Sequence, residues 1–177
     1  MKKRSFIEFD PERCVGCGAC AVACMDQNDL DPQNPMDMFR KVSVVEDGSG
    51  ADTRFTYLSM ACMHCNNAPC IAACPCGCIS KDPETGFTVY DTTNCIGCRS
   101  CSMACPFAAP IFGPDGKMRK CDGCNERVKN GLEPACVRVC PFDALTLQTD
   151  ESYAEKDAAR SMHEMAREIL RAKKLEK

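Results

Sequence analysis

Residues 95–106 read CIGCRSCSMACP, and this stretch decides the fold. Cys95, Cys98 and Cys101 recur at two-residue gaps, Cys105 follows three residues later, and Pro106 comes next. In this spacing three thiolates grip one [4Fe–4S] cube and the fourth reaches a neighbouring cube. A CxxCxxC loop curls around its cluster and can aim backbone N–H groups at the sulfurs. The three-residue gap starts a helical turn that carries Cys105 away. Pro106 has no N–H with which to extend that turn.

The pattern occurs three more times. Cys14, Cys17, Cys20 and Cys24 form the first group, CVGCGACAVAC, with Met25 where proline would stand. Cys62, Cys65, Cys70 and Cys74 form the second, CMHCNNAPCIAACP, whose longer gap before Cys70 widens the bend. Residues 95–106 are the third. Cys121, Cys124, Cys136 and Cys140 form the fourth, with a long insertion between Cys124 and Cys136. Two-cluster ferredoxins carry two such groups, each lending its last cysteine to the other's cluster. Doubling that arrangement predicts four cubes in two modules. Spacing alone leaves open which groups pair.

Composition narrows the alternatives. A chain of 177 residues could form one or two domains by size. Its 18 cysteines match the density of disulfide scaffolds in short secreted chains. Such scaffolds follow a secretory signal, whereas Lys2, Lys3 and Arg4 lead straight into Phe6-Ile7-Glu8-Phe9-Asp10 without an apolar run. Clustered CxxC without a signal points to metal. Zinc takes four ligands, often two CxxC pairs, and does not need CxxCxxC followed by a fourth cysteine and proline. Only the fourth group resembles a zinc ribbon. No apolar stretch of about twenty residues exists, so no membrane span is expected. A net charge of −3 without a basic stripe argues against nucleic acid. The absence of a twin-arginine signal predicts a cytoplasmic protein, although export with a signal-bearing partner fits the same sequence.

Between the cysteines, residues 5–10 alternate as a short strand. Residues 26–37 are turn-rich and polar, a surface loop. Residues 41–45 and 54–58 read as strands joined by a turn at 46–52, a structural β-hairpin insertion. Residues 80–91 read as a second hairpin, with its turn at 82–86 and its return strand at 87–90.

Three stretches carry a resemblance beyond the cysteines: CMHC at residues 62–65, CIGCRSCSMACP at 95–106 and KCDGCNER at 120–127. With the four groups they make residues 5–147 similar to the four-cluster iron–sulfur subunit of the dimethyl sulfoxide reductase and formate dehydrogenase type. The sequence is short for that family. The resemblance implies an α+β fold: two ferredoxin-like [4Fe–4S] modules within residues 1–147, then a C-terminal helix in 148–177. It implies nested pairing, first group with fourth and second with third. Cys14, Cys17, Cys20 and Cys140 would hold one cluster, and Cys121, Cys124, Cys136 and Cys24 its neighbour. Cys62, Cys65, Cys70 and Cys105 would hold a third, and Cys95, Cys98, Cys101 and Cys74 the fourth. The implied role is an anaerobic, non-catalytic electron-transfer subunit serving a molybdenum- or tungsten-pterin oxidoreductase. Further iron–sulfur or flavin subunits could join it. The rival readings are a filament-forming wiring subunit of a formate dehydrogenase, hydrogenase or aldehyde oxidoreductase complex, and a free polyferredoxin.

Other residues have two readings. Cys76 and Cys78, in CPCGCI, read as small buried residues, since free cysteine packs as a small hydrophobe; the alternative is a reserve ligand. His64 reads as a structural hydrogen-bonding group rather than a proton relay. Arg99, Lys117, Arg119 and Lys120 lie beside cluster ligands in sequence, where positive charge raises a cluster's potential and ordinary salt bridges are equally expected. In the tail, Ser152 and Glu155 make a capping box. Ala158, Met162, Met165, Ile169 and Ala172 place one apolar seam on a helix that could dock another subunit or a second copy of this protein.

Overall fold

Alternating apolar residues make strands near both ends of the described region, and these strands pair with each other. The computed structural model describes residues 5–33 and 38–149. Strand β1 (Ser5–Phe9) runs antiparallel to β8 (Leu145–Thr149), with Ile7 opposite Leu147. Helix α1 (Ala19–Gln27) follows the first two cysteines, carries Cys20 and Cys24, and packs on α5 (Ala135–Arg138), which carries Cys136. Helices carrying cysteines of the first and fourth groups are therefore in contact.

The second and third groups meet in the same way. Helix α2 (Pro69–Ala72) opens at Pro69, where a missing N–H costs nothing, and packs on α3 (Ser100–Ala104). Hairpin β4 (Ile79–Lys81) with β5 (Thr88–Tyr90) lies beside α2. A two-residue ladder, β6 (Ile111–Phe112) with β7 (Met118–Arg119), and helix α4 (Asn125–Lys129) complete the elements.

The first hairpin is longer than its sequence suggests. Strand β2 (Lys41–Asp47) pairs with β3 (Arg54–Met60) along its whole length, with a 3-10 turn at Gly50–Asp52. It is more than an insertion at the edge, because Tyr57 and Ser59 of β3 reach the first cysteine group. Cysteine supplies much of the core. Cys20 and Cys136 pack with Val137 and Leu145, Cys70 and Cys101 with Ala68, Ile79 and Met118, and Cys24 and Cys121 with Phe39. Thiol groups hold the places that leucine or valine would fill in a domain of this size.

The units are tied by polar contacts as well. Ser5 N–H donates to Thr85 O at 2.7 Å, linking β1 to the β4–β5 turn. Asp82 at that turn meets Lys129 of α4 at 2.6 Å and accepts from Asn125 Nδ2 at 3.0 Å. Burial alone would raise the Asp82 pKa. Lys129, the N–H groups of Thr85 and Glu84 and the Asn125 amide win, and hold the carboxyl well below its usual range. The expected tail helix lies outside the described residues.

Candidate metal centres

Each cysteine group begins with the same backbone device. The residue before its second cysteine is left-handed: Gly16 (φ +70°), His64 (φ +46°), Gly97 (φ +68°) and Gly123 (φ +77°). Glycine adopts this conformation freely. The three glycine positions also have no room for a side chain. A Cβ on Gly16 would lie 2.3 Å from the Tyr57 ring, one on Gly97 2.7 Å from Gly116 O, and one on Gly123 2.6 Å from the Phe87 ring.

His64 is the exception, and its ring explains why the strain is tolerated. Its Nδ1 accepts the Thr88 N–H at 3.0 Å, and its ring lies 4.7 Å from that of Phe87. Because Nδ1 is an acceptor, the ring proton sits on Nε2, 3.7 Å from Cys121 Sγ. The expected structural hydrogen bond is present, and the same ring faces a sulfur of another cysteine group.

The structure places sulfurs around two hollows and beside one another elsewhere. Cys14, Cys17, Cys20 and Cys140 line one hollow with Phe9, Val42 and Leu145. Cys74, Cys95, Cys98 and Cys101 line another, together with Cys76 and Cys78. Cys70 neighbours Cys62, Cys105 and Cys65. Cys24 neighbours Cys136 and Cys124, and Cys121 adjoins both Cys24 and Cys62. All eighteen cysteines are free thiols. Among the described residues no three His, Cys, Asp or Glu side chains close on a point that a single metal ion could occupy. Soft sulfur donors arranged in fours around hollows fit a multi-iron cluster.

Backbone donors accompany the sulfurs. Cys121 Sγ accepts from Gly123 N–H at 3.4 Å, Cys95 Sγ from Met118 N–H at 3.4 Å, and Cys74 Sγ from Cys78 N–H at 3.3 Å. Such N–H···S bonds stabilise the added electron of a reduced cluster. Burial pushes the Cys24 thiol up to about 12 and the Cys70 thiol up to about 11, with neighbouring cysteines adding to both. Iron must displace those protons on binding. At the surface, Ser100 holds the exposed Cys98 below its ordinary value.

Two cations are buried among the sulfurs. Lys120, fully buried, donates to Thr88 O, to Cys121 O at 2.7 Å and to Cys62 Sγ at 3.8 Å. Its three donors meet three acceptors. Lys120 and His64 thus make a crossed contact: each neighbours a ligand candidate of its own group and bonds a sulfur of the other's. Arg119 instead pairs with Asp115 at the surface, Arg99 stacks over the Phe112 ring at 4.8 Å, and Lys117 bonds Thr93 O at 3.4 Å. The second cation, Arg40, donates through Nη1 to Ser59 O at 3.3 Å and to Ser59 Oγ at 3.0 Å. Ser59 Oγ lies 3.3 Å from Cys20 Sγ. Arg40, Tyr57 and Ser59 carry no sequence signal of this role, because only the β2–β3 pairing brings them to the cysteines.

Comparison with known proteins agrees with this chemistry. A family described as a 4Fe-4S dicluster domain matches residues 53–150, and one described as a 4Fe-4S binding domain matches residues 6–28. The B subunit of the anaerobic dimethyl sulfoxide reductase of Escherichia coli is 41% identical over 77% of this sequence and 69% of its own. The thiosulfate reductase electron transfer subunit of Salmonella typhi is 41% identical over 83% of this sequence and 77% of its own. The hydrogenase-2 operon protein HybA of Escherichia coli is 34% identical over 81% of this sequence and 51% of its own. The protein binds [4Fe–4S] clusters, and its cysteine count suits four. It belongs to the 4Fe-4S dicluster family, alongside the B subunit of the anaerobic dimethyl sulfoxide reductases and the thiosulfate reductase electron transfer subunit.

Proposed function

We propose that this protein relays single electrons through four [4Fe–4S] clusters, between the active site of a large molybdenum- or tungsten-pterin subunit and a second redox partner. The observation that carries the reading is the clustering of sulfurs: two hollows are each lined by at least four cysteines, and the remaining cysteines neighbour one another. In this reading Cys14, Cys17, Cys20 and Cys140 ligate one cluster, and Cys24, Cys121, Cys124 and Cys136 a second. Cys62, Cys65, Cys70 and Cys105 ligate a third, and Cys74, Cys95, Cys98 and Cys101 the fourth. Support for the nested modules comes from the β1–β8 and α1–α5 contacts on one side and α2–α3 on the other.

The clusters bring the electron chemistry when bound; the protein's residues set access and charge. Cys17 and Cys98 are exposed, and exposed apolar residues flank them: Val15 and Phe142 near one, Ile96 and Met103 near the other. Those two sets suit entry and exit of electrons at partner surfaces. The interior sets, with His64 and Lys120 between them, suit internal transfer. The protein itself acts without catalysing a reaction, in the cytoplasm. Among the described residues no helix is long and apolar enough to cross a membrane. Similarity to the hydrogenase-2 operon protein favours a hydrogenase as the second choice of partner.

Anaerobic purification with iron and sulfide analysis tests the reading. About sixteen irons per molecule and a co-purifying pterin enzyme are expected. Zinc in place of iron, or a protein that elutes alone and exchanges no electrons with any pterin enzyme, overturns it.

A further inference from the structure

The ligand sets leave Arg40 unexplained. It directly precedes β2 and is 4% exposed. A guanidinium stays charged under all ordinary conditions. A buried charge normally has a carboxylate beside it. Among the described residues no carboxylate pairs with Arg40, and its partners are the backbone and hydroxyl oxygens of Ser59. Its Nε–H is buried with no acceptor among them. The groups facing it are Cys136, Cys121, Cys20 and Cys24. Three of these four belong to a single proposed cluster set.

Lys120 offers a contrast, since it spends all three donors on other groups of the protein. Arg40 keeps a donor in reserve, and cysteine thiols surround its charge. Anchoring Ser59 would need only two neutral N–H donors, so a fixed positive charge there is excess to that anchoring role. A negative cluster beside it would satisfy both the charge and the remaining donor. Resting on the ligand reading above, we propose that Arg40 is the counter-cation of the cluster held by Cys24, Cys121, Cys124 and Cys136. Its Nε–H donates to a sulfur of that cluster and keeps the cluster easier to reduce than burial alone would allow. Reduction adds one electron to the cube, supplied by the neighbouring cluster. No covalent bond forms or breaks, and Arg40 keeps its proton.

Arg40→Met removes charge and donor, and Arg40→Lys keeps the charge without the forked donor. Potentiometric titration followed by electron paramagnetic resonance reads each variant against the native protein. In Arg40→Met the equilibrium constant for reducing one cluster should fall about tenfold, which is 59 mV for one electron. Arg40→Lys should recover at least half of that shift. The couple that moves should be the one whose signal Cys124→Ser alters, with the other couples changing less than twofold. A four-cluster Arg40→Met protein with every couple within twofold of native overturns the proposal, as does movement of a different couple alone. If neither variant holds four clusters, native protein grown with arginine labelled with 15N in the guanidinium alone decides by pulsed resonance: a guanidinium nitrogen coupled to the reduced cluster is expected, and its absence overturns the proposal. Failure of the ligand reading shows separately, as cysteine substitutions that remove clusters in combinations other than those proposed.

Discussion

Two cysteine sets of this protein live in opposite surroundings. Around Cys74, Cys95, Cys98 and Cys101 the surface is open: Cys98 is exposed, and Ile96 and Met103 are 70% and 86% exposed. The nearby cations, Arg99 and Arg119, stack on an aromatic ring or pair with a carboxylate. Around Cys24, Cys121, Cys124 and Cys136 the opposite holds. Cys24, Cys121 and Cys136 are buried, and Arg40, Lys120 and His64 face them from three different segments. The difference teaches that cysteine groups of one protein can sit in unlike electrostatic surroundings. In the proposed reading an open site suits electron exchange with a partner, while an enclosed one is tuned by fixed charge, which a low-dielectric interior does not screen.

The largest effect should come from striking each site at a sulfur. Cys121→Ala should lower iron from about sixteen to about twelve per molecule and abolish cooperative melting, because Cys121 also holds a core position. Cys98→Ala should disturb one cluster's resonance signal and leave the melt cooperative. Equal damage from the two substitutions would erase the distinction between the sites.

Glycine substitutions should separate them next. Gly123→Ala forces a left-handed alanine against the Phe87 ring and should cost about 2–5 kcal/mol in thermal unfolding. Gly77→Ala, beside the open site, meets nothing within 4 Å and should cost only about 1–2 kcal/mol for its φ of +62°. An effect smaller than that of Gly123→Ala is expected at the tie between α4 and the β4–β5 turn. Asp82→Asn should cost about 1–3 kcal/mol at neutral pH. The carboxyl's depressed pKa means that its contribution is complete above about pH 4 and fades only as pH falls through the folded value. The gap in melting temperature between Asp82→Asn and native protein should therefore stay constant from pH 8 to pH 5. Last, Met103→Gln should leave stability within about 0.5 kcal/mol. A large loss there would mean that the open face is not open.

The sulfur groups were legible because cluster ligation needs thiols at short, repeated intervals, and such intervals are visible in a single sequence. Strands β1, β4 and β5 were legible from alternation and turn residues. The two-residue strands β6 and β7 are too short to show any period. Strands β2 and β3 run two residues past their expected ends, because pairing across the hairpin extends them through polar residues such as Glu46 and Asp47. Arg40 and Ser59 were illegible for a different reason. Nothing near them in sequence distinguishes them from surface residues. Their role follows from a register that places Arg40 beside Ser59, nineteen positions later, and Ser59 beside Cys20. His64 was legible as a residue between cysteines, but its backbone strain and its reach to Cys121 depend on Thr88 and Phe87.

The pairing of β1 with β8 bears on how the protein is made. On the ribosome β1 emerges first and waits for a partner that is synthesised more than a hundred residues later. In the proposed ligand set Cys24 until then lacks Cys121, Cys124 and Cys136, so the nascent polypeptide holds an incomplete set of thiols. Contacts so distant in sequence also close slowly. On that ligand set, iron delivery to this site follows translation, and the interval before it is when oxygen can do the most harm.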